Sequence, residues 1–242
     1  MPVDTPLLNA QVNDDGVGVI TLDRPKKRNA LSIQLLEAVD AQLEKWSGDG
    51  AIRCVVITGE GPAFCAGFDV TELSDPATRE RMVPVSSRYH RRLWSYPKVV
   101  IAAVNGPALA GGLDLATLCD IRIASEEASF GHPEIKLGAP PLFTPLRWLI
   151  GDGRARELCL TGRRIDAREA AAIGLVTAVV APGELMDRAI AIATEVARTP
   201  PEAVGTAKRY LTGNPGLGFE DSFRVEHDDV FARSLEIGRE GG

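Results

Sequence analysis

The chain has 242 residues, 45% of them hydrophobic, with 33 acidic side chains against 27 lysines and arginines and a formal net charge of −6. That apolar share supports a packed core and excludes an intrinsically disordered chain. The acidic balance argues against a nucleic-acid partner, which needs a broad basic face, but leaves small anionic ligands that need only a local basic cluster. No apolar run reaches the about 20 residues of a membrane-spanning helix. The opening MPVDTPLLNA lacks the basic-then-apolar pattern of a signal peptide. Cys54, Cys65, Cys119 and Cys159 form no CxxC pair and fit no zinc spacing, so free thiols in a reducing, cytoplasmic compartment are expected.

In chain order, Leu7 to Leu22 predicts two short strands about the turn Asn13-Asp14-Asp15-Gly16. Asp23-Arg24-Pro25 ends the second, and the basic run Lys26-Lys27-Arg28 follows; it could grip phosphates or be a solvated loop. Ser32 is the expected N-cap of a helix from Ile33 to Trp46, with apolar residues at Leu35, Leu36, Val39, Leu43 and Trp46. Arg53 to Thr58 predicts a strand and Gly59 to Gly67 a turn. A short helix from Asp69 to Leu73 and a longer, more polar one from Pro76 to Trp94, capped by Asp75, come next. His90 lies on the longer helix among Arg88, Arg91 and Arg92, and an exposed histidine is expected there.

Val99 to Val104 predicts a buried strand broken by Asn105-Gly106-Pro107, and Gly111-Gly112 then open an apolar helix, Leu113 to Leu118. A glycine pair at a helix start leaves unpaired N–H groups where a ligand can approach closely, at the positive end of the helix dipole. Asp114 sits on that first turn. A second glycine-containing turn, Phe64 to Asp69 (FCAGFD), likewise follows an apolar strand. Two such turns could hold one carbonyl oxygen from two sides, as an acyl oxyanion or enolate requires, although glycine used for packing explains either turn alone. Ile121 to Ala124 predicts a strand. Glu134 then stands beside Ile135 and Leu137, either at a surface bend or in a partly desolvated site suited to proton transfer. A proline-punctuated turn, Gly138 to Arg147, leads to helices around Trp148, from Gly153 to Leu160 and from Ala167 to Ile173; Val176 to Val180 predicts the last strand. From Glu184 only helices follow: Glu184 to Arg198, Pro201 to Leu211 and Phe219 to Glu236. The expected class is therefore α/β with a helical C-terminal region, divided as residues 1–183 and 184–242.

Taken together, RPKKRNAL, FCAGFDV, AVNGPALAGGLDLATLCDIRIAS and FGHPEIKLG are specific, and from about Val17 onward the chain resembles the crotonase superfamily, the enoyl-CoA hydratase and isomerase family. The resemblance implies a crotonase-type spiral of ββα units, a helical C-terminal trimerisation region giving trimers or hexamers, an acyl-CoA thioester ligand, and no metal or redox cofactor. It places the oxyanion hole at the backbone N–H groups of Phe68 and Gly111. It puts Arg24, Lys27, Ala66 and Asp69 on the coenzyme A side, and Leu142 and Phe143 at the acyl pocket. The family's paired hydratase carboxylates fall at Asp114 and Glu134, twenty residues apart as the family spacing requires.

Three departures stand out. Phe68 replaces a common alanine; Asp114 is one methylene shorter than the family's glutamate. Pro140, Pro141, Leu142, Phe143, Thr144 and Pro145 replace a glycine-rich turn, and Leu142 stands where the family's dehalogenases carry a nucleophilic aspartate. The chain also stops at Arg239-Glu240-Gly241-Gly242, without the basic and aromatic segment that often closes over coenzyme A. Hydration of a trans-2-enoyl-CoA by Glu134 and Asp114 is the leading expectation. Double-bond isomerisation by Glu134 alone, and acyl-CoA binding without turnover, are the alternatives.

Overall fold

A computed structural model describes residues 7–213, 216 and 218–225. The chain begins with an antiparallel hairpin, β1 (Leu8–Val12) and β2 (Val17–Leu22). The Asn13 side chain accepts from the N–H groups of Asp15 and Val17, and Gly16 takes a φ of 76° to close the turn. A 3-10 turn, Pro25–Lys27, leads to α1 (Ile33–Ser47), whose Ser32 hydroxyl accepts from the N–H of Leu35 as the sequence predicts. Then come β3 (Cys54–Gly59), α2 (Val70–Ser74), α3 (Pro76–Trp94), β4 (Val99–Val104), β5 (Ala108–Leu109), α4 (Gly111–Leu118), β6 (Ile121–Ser125) and β7 (Ser129–Gly131). After a 3-10 turn, Pro133–Leu137, the chain forms α5 (Thr144–Thr161), β8 (Arg164–Asp166), α6 (Ala167–Ala172), β9 (Ala178–Val180), α7 (Leu185–Arg198), α8 (Pro201–Gly213) and α9 (Phe219–Phe223). The helix expected from Phe219 to Glu236 runs past residue 225, and that part lies outside the described residues.

The main sheet has the order β1-β2-β3-β4-β6-β9, parallel throughout except for the first hairpin. Parallel neighbours require crossovers, which the helices supply. Coverage on both faces explains why β3 and β4 are nearly unbroken apolar runs. On one face α1 and α3 bury Leu35, Leu36, Leu43, Tyr89 and Leu93. On the other, α7 lays the stripe Leu185, Ala189, Ala193 and Ala197 against Val56, Ile101, Ala103 and Ile123. The first helix after residue 184 thus completes the sheet's second layer. α8 is fastened to the same body by Lys208, buried with its ammonium 2.7 Å from both the Lys98 carbonyl and Asp120 Oδ2. Asp120 Oδ2 also accepts from the N–H of Val100 at 2.7 Å. Severing one partner would strand a charge in the interior.

The mixed α/β architecture matches the sequence, with three differences. The last strand begins at Ala178 because the N–H groups of Leu175 and Val176 are taken by the Ala170 carbonyl at the end of α6. The helix about Trp148 and the next are joined across Gly151, where φ 76° and ψ 162° break the run. The third is a second, small sheet of order β5-β7-β8, built of strands only two or three residues long. The four cysteines are buried free thiols.

Candidate active site

The small sheet assembles the site, and β5 is its hub. On one side Ala108 bridges to Cys65 in the FCAGFD turn: the Cys65 N–H donates to the Pro107 carbonyl at 3.1 Å, and that of Leu109 to the Cys65 carbonyl at 3.0 Å. On the other side Ala108 and Leu109 pair with Phe130 and Gly131, and the Ala110 N–H donates to the Gly131 carbonyl at 2.9 Å. Two residues of β5 therefore bring three distant segments together: the FCAGFD turn, the start of α4, and the stretch carrying His132 and Glu134.

The two glycine turns touch. A Cβ on Gly112 would stand 2.1 Å from the Cys65 carbonyl oxygen, and one on Gly67 would stand 2.8 Å from Ala110 Cβ and 3.3 Å from the Gly111 nitrogen. Gly67 has a φ of 98°, and Ala110, at φ 52°, is one of three described non-glycine residues with positive φ. Strain at the entry to a helix whose first N–H groups are free is the kind of backbone cost found at ligand sites.

Phe68 bridges to Leu31 in parallel register: Leu31 donates to the Gly67 carbonyl at 2.8 Å, and Asp69 donates to the Leu31 carbonyl at 3.1 Å. In that pattern the N–H of the intervening residue faces away from the bridge. Among the described residues neither the Phe68 nor the Gly111 N–H has an acceptor. The Phe68 ring lies over Gly111, its Cδ2 and Cε2 3.2 Å from where a Cβ would be.

Beside these donors stand two carboxylates and a histidine. Asp114 is three residues beyond Gly111 and so on the same face of α4. It is 6% exposed, and burial pushes its carboxyl up to about 7, with His132 opposing and the Glu134 charge adding to the rise. Glu134 is the second residue of the 3-10 turn after β7. His132, fully buried, lies between them: Nδ1 is 2.8 Å from Glu134 Oε1, and Nε2 is 3.9 Å from Asp114 Oδ1. Among the described residues, the buried side-chain atoms without a protein hydrogen-bond partner are Asp114 Oδ1, His132 Nε2, Glu134 Oε2 and Tyr89 Oη. Folded proteins leave few such atoms, and here three of the four belong to one trio.

The raised Asp114 pKa carries a stability consequence. Between the unfolded value of 3.8 and the folded value of about 7, the folded chain binds more protons than the unfolded one, so this group's contribution to stability falls as pH rises through that window and stays reduced above it. Asp114→Asn is expected to raise the stability of the fold at pH 8 by about 2–4 kcal/mol, seen as a higher melting temperature, and to change it little near pH 4. Thermal melts at both pH values check this; an unchanged or lower melting temperature at pH 8 contradicts it.

The residues expected on the coenzyme A side sit on one flank of the Phe68 turn. Arg24 and Asp69 hold each other at 3.0 Å with little exposure, and the Arg24 guanidinium also donates to the Ala30 carbonyl. Burial alone would raise the Asp69 carboxyl, but hydrogen bonds from Arg24 and Thr71 keep it below its ordinary range. Both groups are thus engaged in holding the turn, while Lys27 is exposed and Ala66 half-buried. Asn29 organises this flank: fully buried at φ 55°, it accepts from the Arg24 N–H and donates to the Glu60 and Ala63 carbonyls.

His90 corrects the sequence reading of an exposed histidine. It is half-buried, its ring 6.2 Å from that of Phe68 and its Nδ1 2.6 Å from the Ser86 carbonyl; burial lowers its pKa. The physical reason is that α3 lies across the Phe68 turn, so this face of a polar helix is covered. Phe143 lines a cavity of about 290 Å³ with Ile135, Pro140, Pro141, Arg156 and Cys159. Leu142 is 39% exposed and is not among the lining residues. His132 and Asn29 were not singled out by sequence reasoning. FGHPE gave the only cue to His132, two residues before a candidate carboxylate.

A family model described as enoyl-CoA hydratase/isomerase matches residues 13–215. A short-chain-enoyl-CoA hydratase of Clostridium acetobutylicum is 42% identical over 201 residues, covering 81% of this chain and 77% of that protein. The crystal structure of an enoyl-CoA hydratase from Bacillus anthracis superposes with a TM-score of 0.88 at 34% identity, over 98% of this chain and 97% of the other. That of Pseudomonas aeruginosa DspI gives 0.88 at 32%, over 97% of each chain. The chain belongs to the enoyl-CoA hydratase/isomerase family and has the crotonase fold.

Proposed function

We propose that the protein is an enoyl-CoA hydratase that adds water syn to a trans-2-enoyl-CoA. The observation that carries the reading is the juxtaposition of two unpaired backbone N–H groups from touching turns with two buried carboxyl groups. The thioester oxygen accepts from Phe68 and Gly111, which polarises the conjugated system toward the β-carbon. A water held between Asp114 and Glu134 loses a proton to one carboxylate as its oxygen bonds to the β-carbon. The electron pair moves onto the thioester oxygen as an enolate, and the enolate then takes a proton from the other carboxyl at the α-carbon. Water is consumed in full and the carboxyl pair ends with the protons it began with, one of them relocated.

Asp114 fits the role despite its short side chain. At about 7 its pKa lies close to neutral pH, where proton exchange is most efficient. Double-bond isomerisation needs only Glu134, whose free Oε2 keeps that reading in view. Asp114→Asn separates the two: hydration of crotonyl-CoA falls sharply on the hydratase reading, whereas conversion of a 3-enoyl-CoA persists on the other. The cavity beside Phe143 is the proposed acyl pocket, Lys27 an exposed cation on the proposed coenzyme A flank, and no metal or redox cofactor takes part. A cytoplasmic trimer or hexamer, assembled through the C-terminal helices, completes the reading. The test is loss of the conjugated thioester absorbance of crotonyl-CoA in water across a series of acyl chain lengths; failure to hydrate any member contradicts it.

A further inference from the structure

We propose that His132 is a positioning residue of this site: one ring nitrogen fixes the Glu134 carboxylate and the other keeps the proton of Asp114, so that the carboxyl pair enters turnover sharing one proton. This rests on the hydratase reading for its kinetic test but not for its structural one.

The geometry assigns the ring's hydrogen. Nδ1 is 2.8 Å from Glu134 Oε1, a hydrogen-bond distance to an acceptor, so Nδ1 donates. That bond leaves Glu134 Oε2, buried and without a protein partner, as the oxygen available to the reaction. A ring with its hydrogen on Nδ1 presents a lone pair at Nε2, and the group facing it is Asp114 Oδ1 at 3.9 Å, also without a protein partner. Two bare acceptors would repel each other, so a hydrogen on Asp114 makes the contact attractive. Burial, the leading cause of the raised Asp114 pKa, holds that hydrogen near neutral pH; the opposition from His132 is that of a charged ring, and the neutral ring of this proposal removes it. At 3.9 Å the separation exceeds a hydrogen bond, so the contact acts through space.

The other ionisable groups about the trio do not compete for the proton. Cys65 from the FCAGFD turn and Cys159 from α5 are thiols pushed up to about 12 and about 11, and the buried Tyr89 hydroxyl on α3 is raised well above its ordinary value; desolvation leads in all three, so they stay neutral. Arg164 on β8 stands over Gly131, one residue before His132, and its neighbour Arg163 is paired with Glu157 and Glu169.

The experiment compares His132→Leu, which removes donor and acceptor, with His132→Gln, whose amide keeps a donor for Glu134. With crotonyl-CoA, His132→Leu is expected to lower kcat about 10²-fold and to leave KM within about threefold, and His132→Gln to regain at least about tenfold of the loss. Equal loss in both variants, or wild-type kcat in His132→Leu, overturns the proposal. Independently of turnover, ring-nitrogen NMR of the wild-type chain at pH 7 is expected to show the hydrogen on Nδ1. Glu134→Gln should perturb chiefly the Nδ1 signal and Asp114→Asn chiefly the Nε2 signal. A hydrogen on Nε2 overturns the proposal even if folding or activity of the His132 variants fails. A wild-type chain that hydrates nothing yet shows this ring state refutes the hydratase reading and leaves the placement of His132 standing.

Discussion

Glu134→Gln is expected to lower turnover of crotonyl-CoA by about 10³-fold or more while leaving the chain folded and able to bind acyl-CoA. The substitution keeps the shape of the side chain and an oxygen to accept from His132 Nδ1, the contact that places the group at 2.8 Å. It removes only the ability to take up and release a proton at the oxygen that has no protein partner. General acid–base groups contribute about 10²–10⁴-fold, and no neighbour can stand in: the nearby thiols are too weakly acidic, and in the proposed mode Asp114 already fills the other proton-transfer role. The signature is a fall in kcat with little change in KM, since coenzyme A contacts lie on the Phe68 flank in the proposed mode. Residual activity within tenfold of wild type would show that Glu134 is not the group that moves the proton.

The second large effect is expected at Gly112, a residue that takes no part in the chemistry. Its added Cβ in Gly112→Ala would meet the Cys65 carbonyl oxygen at 2.1 Å and the Cys65 carbonyl carbon at 2.7 Å, and these are backbone atoms that cannot swing aside. Relief requires the two glycine turns to part, which breaks the Leu109-to-Cys65 hydrogen bond and separates the Phe68 and Gly111 donors. Overpacking of this kind costs roughly 1–3 kcal/mol of stability. Loss of one oxyanion donor costs about 10²–10³-fold in kcat. Both losses are expected together: a lower melting temperature by thermal denaturation, and a kcat reduced by about 10²-fold in whatever fraction stays folded. Gly48→Ala, which meets nothing within 4 Å, serves as the control. A Gly112→Ala enzyme as stable and active as wild type would mean that the turns need not touch.

Much of the frame could be read from the residues alone. β3 and β4 are nearly unbroken apolar runs of six residues, long enough to carry a strand signal, and Ser32 and Asp75 cap the helices they precede in sequence. What escaped is the small sheet. Ala108-Leu109 and Ser129-Phe130-Gly131 are too short for any periodicity, and their strand character comes from partners more than 20 residues away. Because that sheet gathers the site, the residue it places at the centre escaped with it. His132 has no local signal beyond standing near Glu134; its position between two carboxyl groups exists only once β5 and β7 pair. His90 was misjudged for a related reason: charged neighbours on its own helix suggest solvent, but α3 crosses the Phe68 turn and covers it. The candidate donors and carboxylates were legible because each sits at a strand end or helix start with a distinctive local composition.

The most direct measurement is a crystal structure of the Glu134→Gln chain with crotonyl-CoA bound. The thioester oxygen is expected about 2.7–3.1 Å from both the Phe68 and the Gly111 nitrogens, with the β-carbon facing the gap between Asp114 and residue 134. A thioester oxygen bound by only one of those nitrogens, or an acyl chain lying away from both carboxyl positions, would contradict the account.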